Sequence, residues 1–255
     1  MAAMTTSELI PELIERKVEG EPADQGSGKP GRVYELYRRG EAYEVHLDGK
    51  LLCATDQPRN EQPLVELALA PLKGRDDVSV VLAGLGVGRT LRQILGAGGM
   101  IVRRVDVVEV SPTMVDWEKR FFCAHNGDAM KDPRVRLHQT SLGALIRQVR
   151  LGAQGVLPEE GAMAVIVDID RSLDAPLYPG NEAHYTDDGL ADLEQILRPG
   201  GVVCIWSQKR EPDLIPRLTA RFQNIAEVAV PVDADPGLDY VYRGRRAAIH
   251  PAKAN

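Results

Sequence analysis

The chain has 255 residues, of which 44% are hydrophobic and 27% charged, so a packed globular core is expected and wholesale disorder is excluded. It contains 31 Lys plus Arg against 37 Asp plus Glu, and the formal net charge of −6 argues against nucleic acid and anionic membranes as partners. Cys53, Cys123 and Cys204 are widely spaced, which argues against a disulfide framework and a cysteine zinc site. The sequence shows no apolar run of signal-peptide or membrane-span length, so we expect a cytoplasmic protein.

The N-terminal part divides into two predicted units. Residues 5–18 carry apolar residues at helical spacing and predict a short amphipathic helix, which together with a linker rich in Gly and Pro occupies residues 1–31. Residues 32–60 alternate apolar and polar side chains, and the RRGE and LDGK segments supply turns. This second stretch predicts a small antiparallel β unit.

Residues 61–255 predict an α/β fold, a Rossmann-like and mostly parallel sheet flanked by helices. A helix over residues 61–72 leads into it. Apolar runs of strand length then alternate with helical stretches, as in a parallel sheet that is buried on both faces. The predicted strands are 78–84, 105–110, 135–139, 163–170 and 201–206, and the predicted helices lie near 88–96, 112–122, 141–150 and 186–198. An antiparallel pair over 225–232 and 239–245, joined by a DADPG turn, is expected to close the sheet.

A glycine-rich turn after the first buried strand predicts a nucleoside-binding site. The turn and the helix start after it contain Gly84, Leu85, Gly86, Gly88 and Arg89. The following strand ends in Glu109 and Val110, and an acid at that place can accept hydrogen bonds from both ribose hydroxyls. The GxGxG spacing suits S-adenosylmethionine-type binders better than dinucleotides, although spacing alone leaves NAD open.

Two acids at the end of the fourth predicted strand are the candidate catalytic residues. Asp168 and Asp170 alternate with one apolar residue, so both can face the crevice beyond the carboxyl ends of the strands. Asp168 is the predicted base or amine-orienting group, and Asp170 the predicted second contact to the acceptor. A Pro- and Gly-containing loop over residues 171–185 predicts a lid. The histidines show no ligand spacing, so no metal is predicted.

Several segments, taken in order, resemble the spermidine synthase family over about residues 32–245. They are YEVHLDGKLLCAT, NEQPLVELALAPL, VVLAGLGVGRTLRQIL, VDVVEVSPTMVDW, DPRVRLHQTSL, AVIVDIDRSLDAP and LRPGGVVCIWSQ. The resemblance implies that Asp168 is the catalytic acid and that Thr140 or Ser141 stands where the family has its adenine-contacting Asp. Together with the lid prediction, it suggests Glu66, Asn181, Tyr185 and Trp206 as acceptor contacts.

The sequence departs from this family in ways that bear on the donor and the acceptor. Val87 replaces the acid that holds the amine of the donor, and Leu64-Val65 replaces a Tyr-His pair that contacts the polyamine. Leu52 stands in place of a glutamine. Because a buried cation needs an acid nearby, these changes disfavour a cationic aminopropyl tail, whereas Arg89 could pair with the carboxylate of full S-adenosylmethionine.

The leading hypothesis is therefore methyl transfer from S-adenosylmethionine to a small-molecule acceptor. The main alternative is an aminopropyltransferase that uses decarboxylated S-adenosylmethionine and an altered acceptor, and a rarer one is intramolecular chemistry on S-adenosylmethionine itself. A non-catalytic cofactor-binding protein is the alternative of another class. By analogy with proteins of this fold we expect a homodimer.

Overall fold

The strands form two sheets within residues 10–20, 31–57, 61–232 and 235–248, which a computed structural model describes. The N-terminal sheet is antiparallel, in the order β1-β2-β3-β4. Its strands are β1 (Glu12–Glu19), β2 (Arg32–Arg39), β3 (Ala42–Leu47) and β4 (Lys50–Ala54). Asp48 and Gly49 join β3 to β4 with φ values of 51° and 74°, a turn that requires two residues tolerant of the left-handed region.

The helix predicted over residues 5–18 is wrong for residues 12–18, which form β1; residues 5–9 lie outside the described ranges. Of the predicted apolar face, Ile10 and Leu13 are 91% and 48% exposed, and only Ile14 packs against a hydrophobic core. Pairing with β2 satisfies the backbone of this segment, and its polar side chains reach a neighbouring helix at a spacing of two residues. Tertiary contacts therefore override the local helical pattern.

The main sheet has the order β10-β11-β9-β8-β5-β6-β7. Its strands are β5 (Val78–Ala83), β6 (Val102–Val108), β7 (Val135–His138), β8 (Ala162–Val167), β9 (Leu197–Ser207), β10 (Gln223–Val232) and β11 (Asp235–Arg245). Strands β5 to β9 are parallel, and β10 and β11 add an antiparallel edge. Every residue of β5 and β8 is buried, as expected for strands that are covered on both faces.

Helices cover the main sheet on both faces, and the sheet separates two hydrophobic cores, one on each face. The described α-helices are α1 (Glu61–Leu69), α2 (Arg89–Leu95), α3 (Pro112–Trp117), α4 (Cys123–Asn126), α5 (Leu142–Arg150), α6 (Asp187–Ile196) and α7 (Leu214–Thr219). Short 3₁₀ helices span Ala70–Leu72, Ala129–Lys131 and Asn181–Tyr185, and a π-helical turn over Glu118–Phe122 follows α3. In the described part of the chain no helix combines the length and apolar character needed to cross a membrane.

The predicted fold class is confirmed, including the small antiparallel sheet before the Rossmann-like core. Strand boundaries shift by a few residues: β8 ends at Val167, so Asp168 and Asp170 follow the strand rather than belong to it. Residue 235, inside the predicted DADPG turn, already begins β11, while residues 233 and 234 lie outside the described ranges. The division of the chain at residues 31 and 60 stays a prediction.

Candidate functional site

The order of the strands creates a crevice between β5 and β8. The chain moves from β5 outward to β6 and β7, and then returns to place β8 on the other side of β5. Ligands of open α/β sheets bind beyond the carboxyl ends of the strands at such a switch point. Gly84 follows β5 and Asp168 follows β8, and the backbone N–H of Asp168 donates to the carbonyl of Ala83 over 3.0 Å.

A cavity, called here the central cavity, opens at this crevice. Four parts of the chain line it: the glycine turn, the ends of the parallel strands, the segment Arg171–Tyr185 (called here the lid), and the N-terminal sheet with the start of α1. Predicted site residues among its walls are Gly84, Leu85, Gly86, Arg89, Glu109, Val110, Thr140, Ser141, Asp168, Asp170, Asn181 and Trp206. The structure thus brings together twelve predicted residues from six segments of the chain.

The glycine turn combines a packing requirement with open space. A Cβ on Gly84 would lie 2.1 Å from the carbonyl oxygen of Asp168, so only glycine allows the two strand ends to approach. Gly86 also has a positive φ, of 51°, but a Cβ there would meet nothing within 4 Å. Gly88 lies outside the cavity wall, against the side-chain amide of Asn126. Gly86 is therefore the point at which a ligand can approach the backbone closely.

Two backbone hydrogen bonds hold the carboxylate of Glu109 beside the glycine turn. Its Oε2 accepts the backbone N–H of Leu85 over 3.0 Å, and its Oε1 accepts that of Ser111 over 2.8 Å. Burial raises the pKa of this carboxyl, and the backbone donors partly offset that rise. Each carboxylate oxygen has two lone-pair sites, so the group can still accept hydrogen bonds from a vicinal diol in the cavity.

The residues predicted to contact adenine lie at the rim of the same cavity. Ser141 caps α5, its hydroxyl accepting the N–H of Ala144 over 3.2 Å, and Thr140 precedes it in the chain. Val110 lies half-buried after Glu109. Together they form a wall of the cavity beside Glu109, and their contact with adenine stays a prediction.

Arg89 begins α2 and faces the central cavity. Among the described residues it has neither a hydrogen-bond nor an ion-pair partner, in contrast to most arginines of this chain. Val87 is buried, lines the cavity and packs against the N-terminal sheet and α3. It stands where the spermidine synthase family has the acid that holds the amine of the donor. This part of the cavity wall therefore has a guanidinium at position 89 and no charge at position 87.

The two strand-end acids occupy different environments. Asp168 is half-buried on the cavity wall and accepts a hydrogen bond from the Thr90 hydroxyl over 3.3 Å. Asp170 is only 4% exposed, and its oxygens accept the N–H of Leu177 (2.6 Å), the amide of Asn181 (2.9 Å) and the hydroxyl of Tyr185 (2.9 Å). Burial raises the pKa of Asp170. Asp170 thus anchors the lid, and its predicted role as a second contact to the acceptor stays a prediction.

Three predicted acceptor contacts lie in different places relative to the cavity. Glu66 is exposed outside the cavity, because α1 directs other residues, including Glu61 and Leu64, toward it. The Glu66 carboxylate accepts a hydrogen bond from Gln62 over 2.8 Å. Tyr185 is buried behind Asp170 rather than on the wall. Trp206 does reach the cavity, while its indole N–H donates to Asp239 over 3.1 Å.

Sequence reasoning missed the contacts that hold the lid against the N-terminal sheet. Tyr178 of the lid contacts the hydroxyl of Tyr34 on β2, and the guanidinium of Arg32 donates to the carbonyl of Leu177. Arg32 also lies 5.5 Å from the centre of the Tyr178 ring, a cation–π contact. The aromatic composition of the lid was the only available signal, because these partners are more than 140 positions apart.

Comparison with known proteins shows the fold of this site. No family model matches the chain, and no curated protein matches it. Spermidine synthase from Thermotoga maritima superposes with a TM-score of 0.64 at 14% identity, over 95% of this chain and 83% of that one. A spermidine synthase in complex with the transition state analogue AdoDATO gives 0.66 at 15% identity, over 95% and 84%.

A methyltransferase matches a smaller share of the chain. Human methyltransferase-like protein 13 in complex with SAH superposes with a TM-score of 0.51 at 18% identity, over 77% of this chain and 79% of that one. The chain therefore has a spermidine synthase-like fold with a methyltransferase-type core. The resemblance inferred from the sequence is confirmed at this level.

Proposed function

We propose that this protein is a transferase that uses S-adenosylmethionine to methylate a small-molecule acceptor. The observation that carries the proposal is the pairing of Glu109 with the open turn at Gly86. A rigid buried carboxylate and a backbone that a ligand can approach closely fit the ribose and the chain of a nucleoside sulfonium. Two solved proteins of this fold are in complex with AdoDATO and with SAH, which supports an adenosyl ligand.

The charges around the donor tail support the full donor over its decarboxylated form. Arg89 faces the cavity without a protein partner in the described ranges, and Val87 offers no charge to a tail ammonium. A guanidinium in this position can form a charge-assisted hydrogen bond with a carboxylate. A donor that presents only an ammonium would meet a cation there and no acid at position 87.

Asp168 is the residue best placed to act on the acceptor. Such a donor supplies an alkyl group on a positively charged sulfur and departs as a neutral thioether, so the leaving group requires no acid. An amine acceptor, by contrast, is mostly protonated at neutral pH and must lose a proton before its lone pair can attack. The half-buried carboxylate of Asp168 can take that proton and orient the nitrogen, while the lid excludes water.

Aminopropyl transfer is the second candidate, and the architecture favours it. The spermidine synthases match 95% of this chain, which requires the N-terminal sheet, whereas the methyltransferase matches 77%. A cavity covered by that sheet and the lid suits an acceptor that must be enclosed. A non-catalytic binder would keep Glu109 but has no need for Asp168.

Calorimetric titration with S-adenosylmethionine and with its decarboxylated form tests the proposal. We expect tighter binding of the full donor, and a loss of roughly 10- to 100-fold in affinity in Arg89→Ala, the effect of one hydrogen bond to a charged group. Arg92→Ala is the matched control, because Arg92 lies on the same helix and outside the central cavity. Tighter binding of the decarboxylated form would favour aminopropyl transfer, and binding of neither would contradict both reactions.

A further inference from the structure

Four polar side chains from three parts of the chain meet above the donor end of the central cavity. They are Glu19 at the end of β1, Tyr34 on β2, Ser111 before α3 and Tyr178 on the lid, and they are called here the Glu19 cluster. Oε1 of Glu19 accepts the Ser111 hydroxyl over 2.8 Å, and its Oε2 accepts the Tyr178 hydroxyl over 3.4 Å. The hydroxyls of Tyr34 and Tyr178 contact each other.

The Glu19 cluster connects directly to the acid of the donor site. The backbone N–H of Ser111 donates to Oε1 of Glu109, whose other oxygen holds the N–H of Leu85 in the glycine turn. Oε1 of Glu19 also accepts the backbone N–H of Thr113 over 2.7 Å. One carboxylate from β1 therefore fixes the backbone on which Glu109 is oriented and touches the lid at the same time.

We propose that Glu19 is a positioning residue that couples closure of the lid to the orientation of Glu109, an inference that rests on the proposed function. Ser111 and Tyr34 are each 1% exposed, so their hydroxyl hydrogens need acceptors, and the cluster supplies them. When the lid opens, Tyr178 leaves the cluster, so Tyr34 loses its hydroxyl partner and Oε2 of Glu19 loses a donor. Donor binding and lid closure then favour each other through shared hydrogen bonds.

Glu15 provides a matched control on the same strand and face. Its carboxylate accepts the indole N–H of Trp117 over 2.6 Å and the guanidinium of Arg120 over 2.9 Å, so it docks β1 on the same helical segment. Within the described ranges, Glu15 makes no hydrogen bond or ion pair with the lid. Substitution of Glu15 therefore weakens only the attachment of β1 to this helical segment. Substitution of Glu19 weakens that attachment and also breaks the proposed link between the lid and Glu109.

The first arm of the test needs no ligand. Chymotrypsin cleavage after Leu177, mapped by mass spectrometry on the full chain, measures how often the lid opens, whereas the bond after Tyr178 resists the protease because Pro179 follows it. We expect Glu19→Ala to raise the cleavage rate roughly tenfold, Glu15→Ala to leave it within about twofold, and Glu19→Gln, which keeps an acceptor oxygen, to restore most of the protection. Equal rates in wild type and Glu19→Ala would overturn the coupling, whatever the protein binds.

The second arm measures binding of S-adenosylhomocysteine by calorimetry. Glu19→Ala is expected to bind roughly tenfold more weakly than wild type, and Tyr178→Phe should add little to Glu19→Ala because both break the same link. Additive effects of the two substitutions, or an equal loss in Glu15→Ala, would overturn the coupling. Failure of wild type to bind contradicts the proposed function instead, and the cleavage arm still decides the role of Glu19.

Discussion

Tyr185, at the end of the lid, donates its phenol hydrogen to Oδ2 of Asp170 over 2.9 Å. Two further donors from the lid, the N–H of Leu177 and the amide of Asn181, share Oδ1 of the same carboxylate. Asp170 therefore anchors the lid through both of its carboxylate oxygens, whereas Asp168, two residues earlier, accepts a hydrogen bond from Thr90 at the cavity wall. Two acids that look equivalent in the sequence have different surroundings.

This difference predicts opposite outcomes for two isosteric substitutions. Asp168→Asn should lower turnover by roughly 10²- to 10⁴-fold, the usual contribution of a general base. Its affinity for S-adenosylhomocysteine should stay within about threefold of wild type, because Asp168 is needed in the transition state rather than for binding. The measurement is S-adenosylhomocysteine released from S-adenosylmethionine with an acceptor found in an amine panel.

Asp170→Asn is the control for that experiment. An asparagine oxygen can accept from both Leu177 and Asn181, and its amide can donate to the Tyr185 hydroxyl, so the lid keeps its anchors. Turnover should remain within roughly tenfold of wild type. A collapse of turnover in Asp170→Asn with the lid intact would return Asp170 to the catalytic machinery.

Two alanine substitutions in the glycine turn should separate folding from binding. Gly84→Ala places a methyl against the carbonyl of Asp168, at 2.1 Å, and overpacking of this kind costs about 1–3 kcal/mol beyond the cost of its positive φ. Gly86→Ala meets open space and carries only the φ cost, about 1–2 kcal/mol. Urea unfolding should therefore rank Gly84→Ala as the less stable protein.

Donor binding should weaken in Gly86→Ala, although this variant is the more stable of the two. The new methyl of Gly86→Ala occupies space at the cavity wall, so affinity for S-adenosylhomocysteine should fall roughly tenfold or more, about 1.4 kcal/mol of binding free energy. Unchanged binding in Gly86→Ala would mean that no ligand approaches the turn at this residue. That result would remove the main support for a nucleoside site.

Local signals explain which parts of the site were predictable. The turn from Gly84 to Gly88 and the acid Glu109 follow from one unit of strand, turn, helix and strand, whose residues lie within about 25 positions of each other. The burial of β5 and β8 follows from uninterrupted apolar runs. In these elements local preference and the global fold agree, so the sequence pattern was sufficient.

The rest depended on contacts between distant segments. Glu66 was misplaced because the phase of α1 is set by packing of its apolar residues, not by its acids. β1 was predicted as a helix because its partner strand is not visible in a local pattern. Glu19 and Tyr178 lie 159 positions apart, and nothing in either segment indicates that they meet. Such pairs follow from topology, which a single sequence specifies only indirectly.

Asn126 holds the glycine turn from behind, and its loss should weaken the site. Its amide donates to the carbonyl of Val87 over 3.1 Å and to Oε1 of Glu118 over 3.0 Å, and its oxygen accepts the N–H of Ala129 over 3.1 Å. Asn126→Ala leaves these buried groups without this partner, at about 1–3 kcal/mol each. We expect lower stability in urea and weaker binding of S-adenosylhomocysteine.

Glu118→Gln is the companion variant, since it keeps an oxygen for the Asn126 amide. Burial raises the pKa of Glu118, so a neutral side chain removes an unfavourable buried charge. Stability equal to or above that of wild type is expected, with binding unchanged. If Asn126→Ala bound S-adenosylhomocysteine as tightly as wild type, the turn would be held by other contacts.

The buried carboxyl of Asp170 should give stability a measurable dependence on pH. Desolvation raises its pKa in the folded protein, and hydrogen bonds from Asn181, Leu177 and Tyr185 offset only part of that rise. A raised pKa means that the folded state binds the proton more tightly than the unfolded state does. The contribution of Asp170 to the free energy of unfolding is then greatest below its usual pKa near 3.9, and it is lost as pH rises through the folded value.

Asp170→Asn isolates this contribution, because Glu109 and Glu118, whose pKa values burial also raises, are present in both proteins and cancel in the difference. Urea unfolding of the two proteins from pH 4 to pH 8 gives that difference directly. Relative to wild type, the variant should gain stability as pH rises, and the gain should level off once the wild-type carboxyl has lost its proton. Parallel curves over the whole range would show that the lid stabilises the carboxylate fully, and an opposite slope would show that its three donors outweigh desolvation.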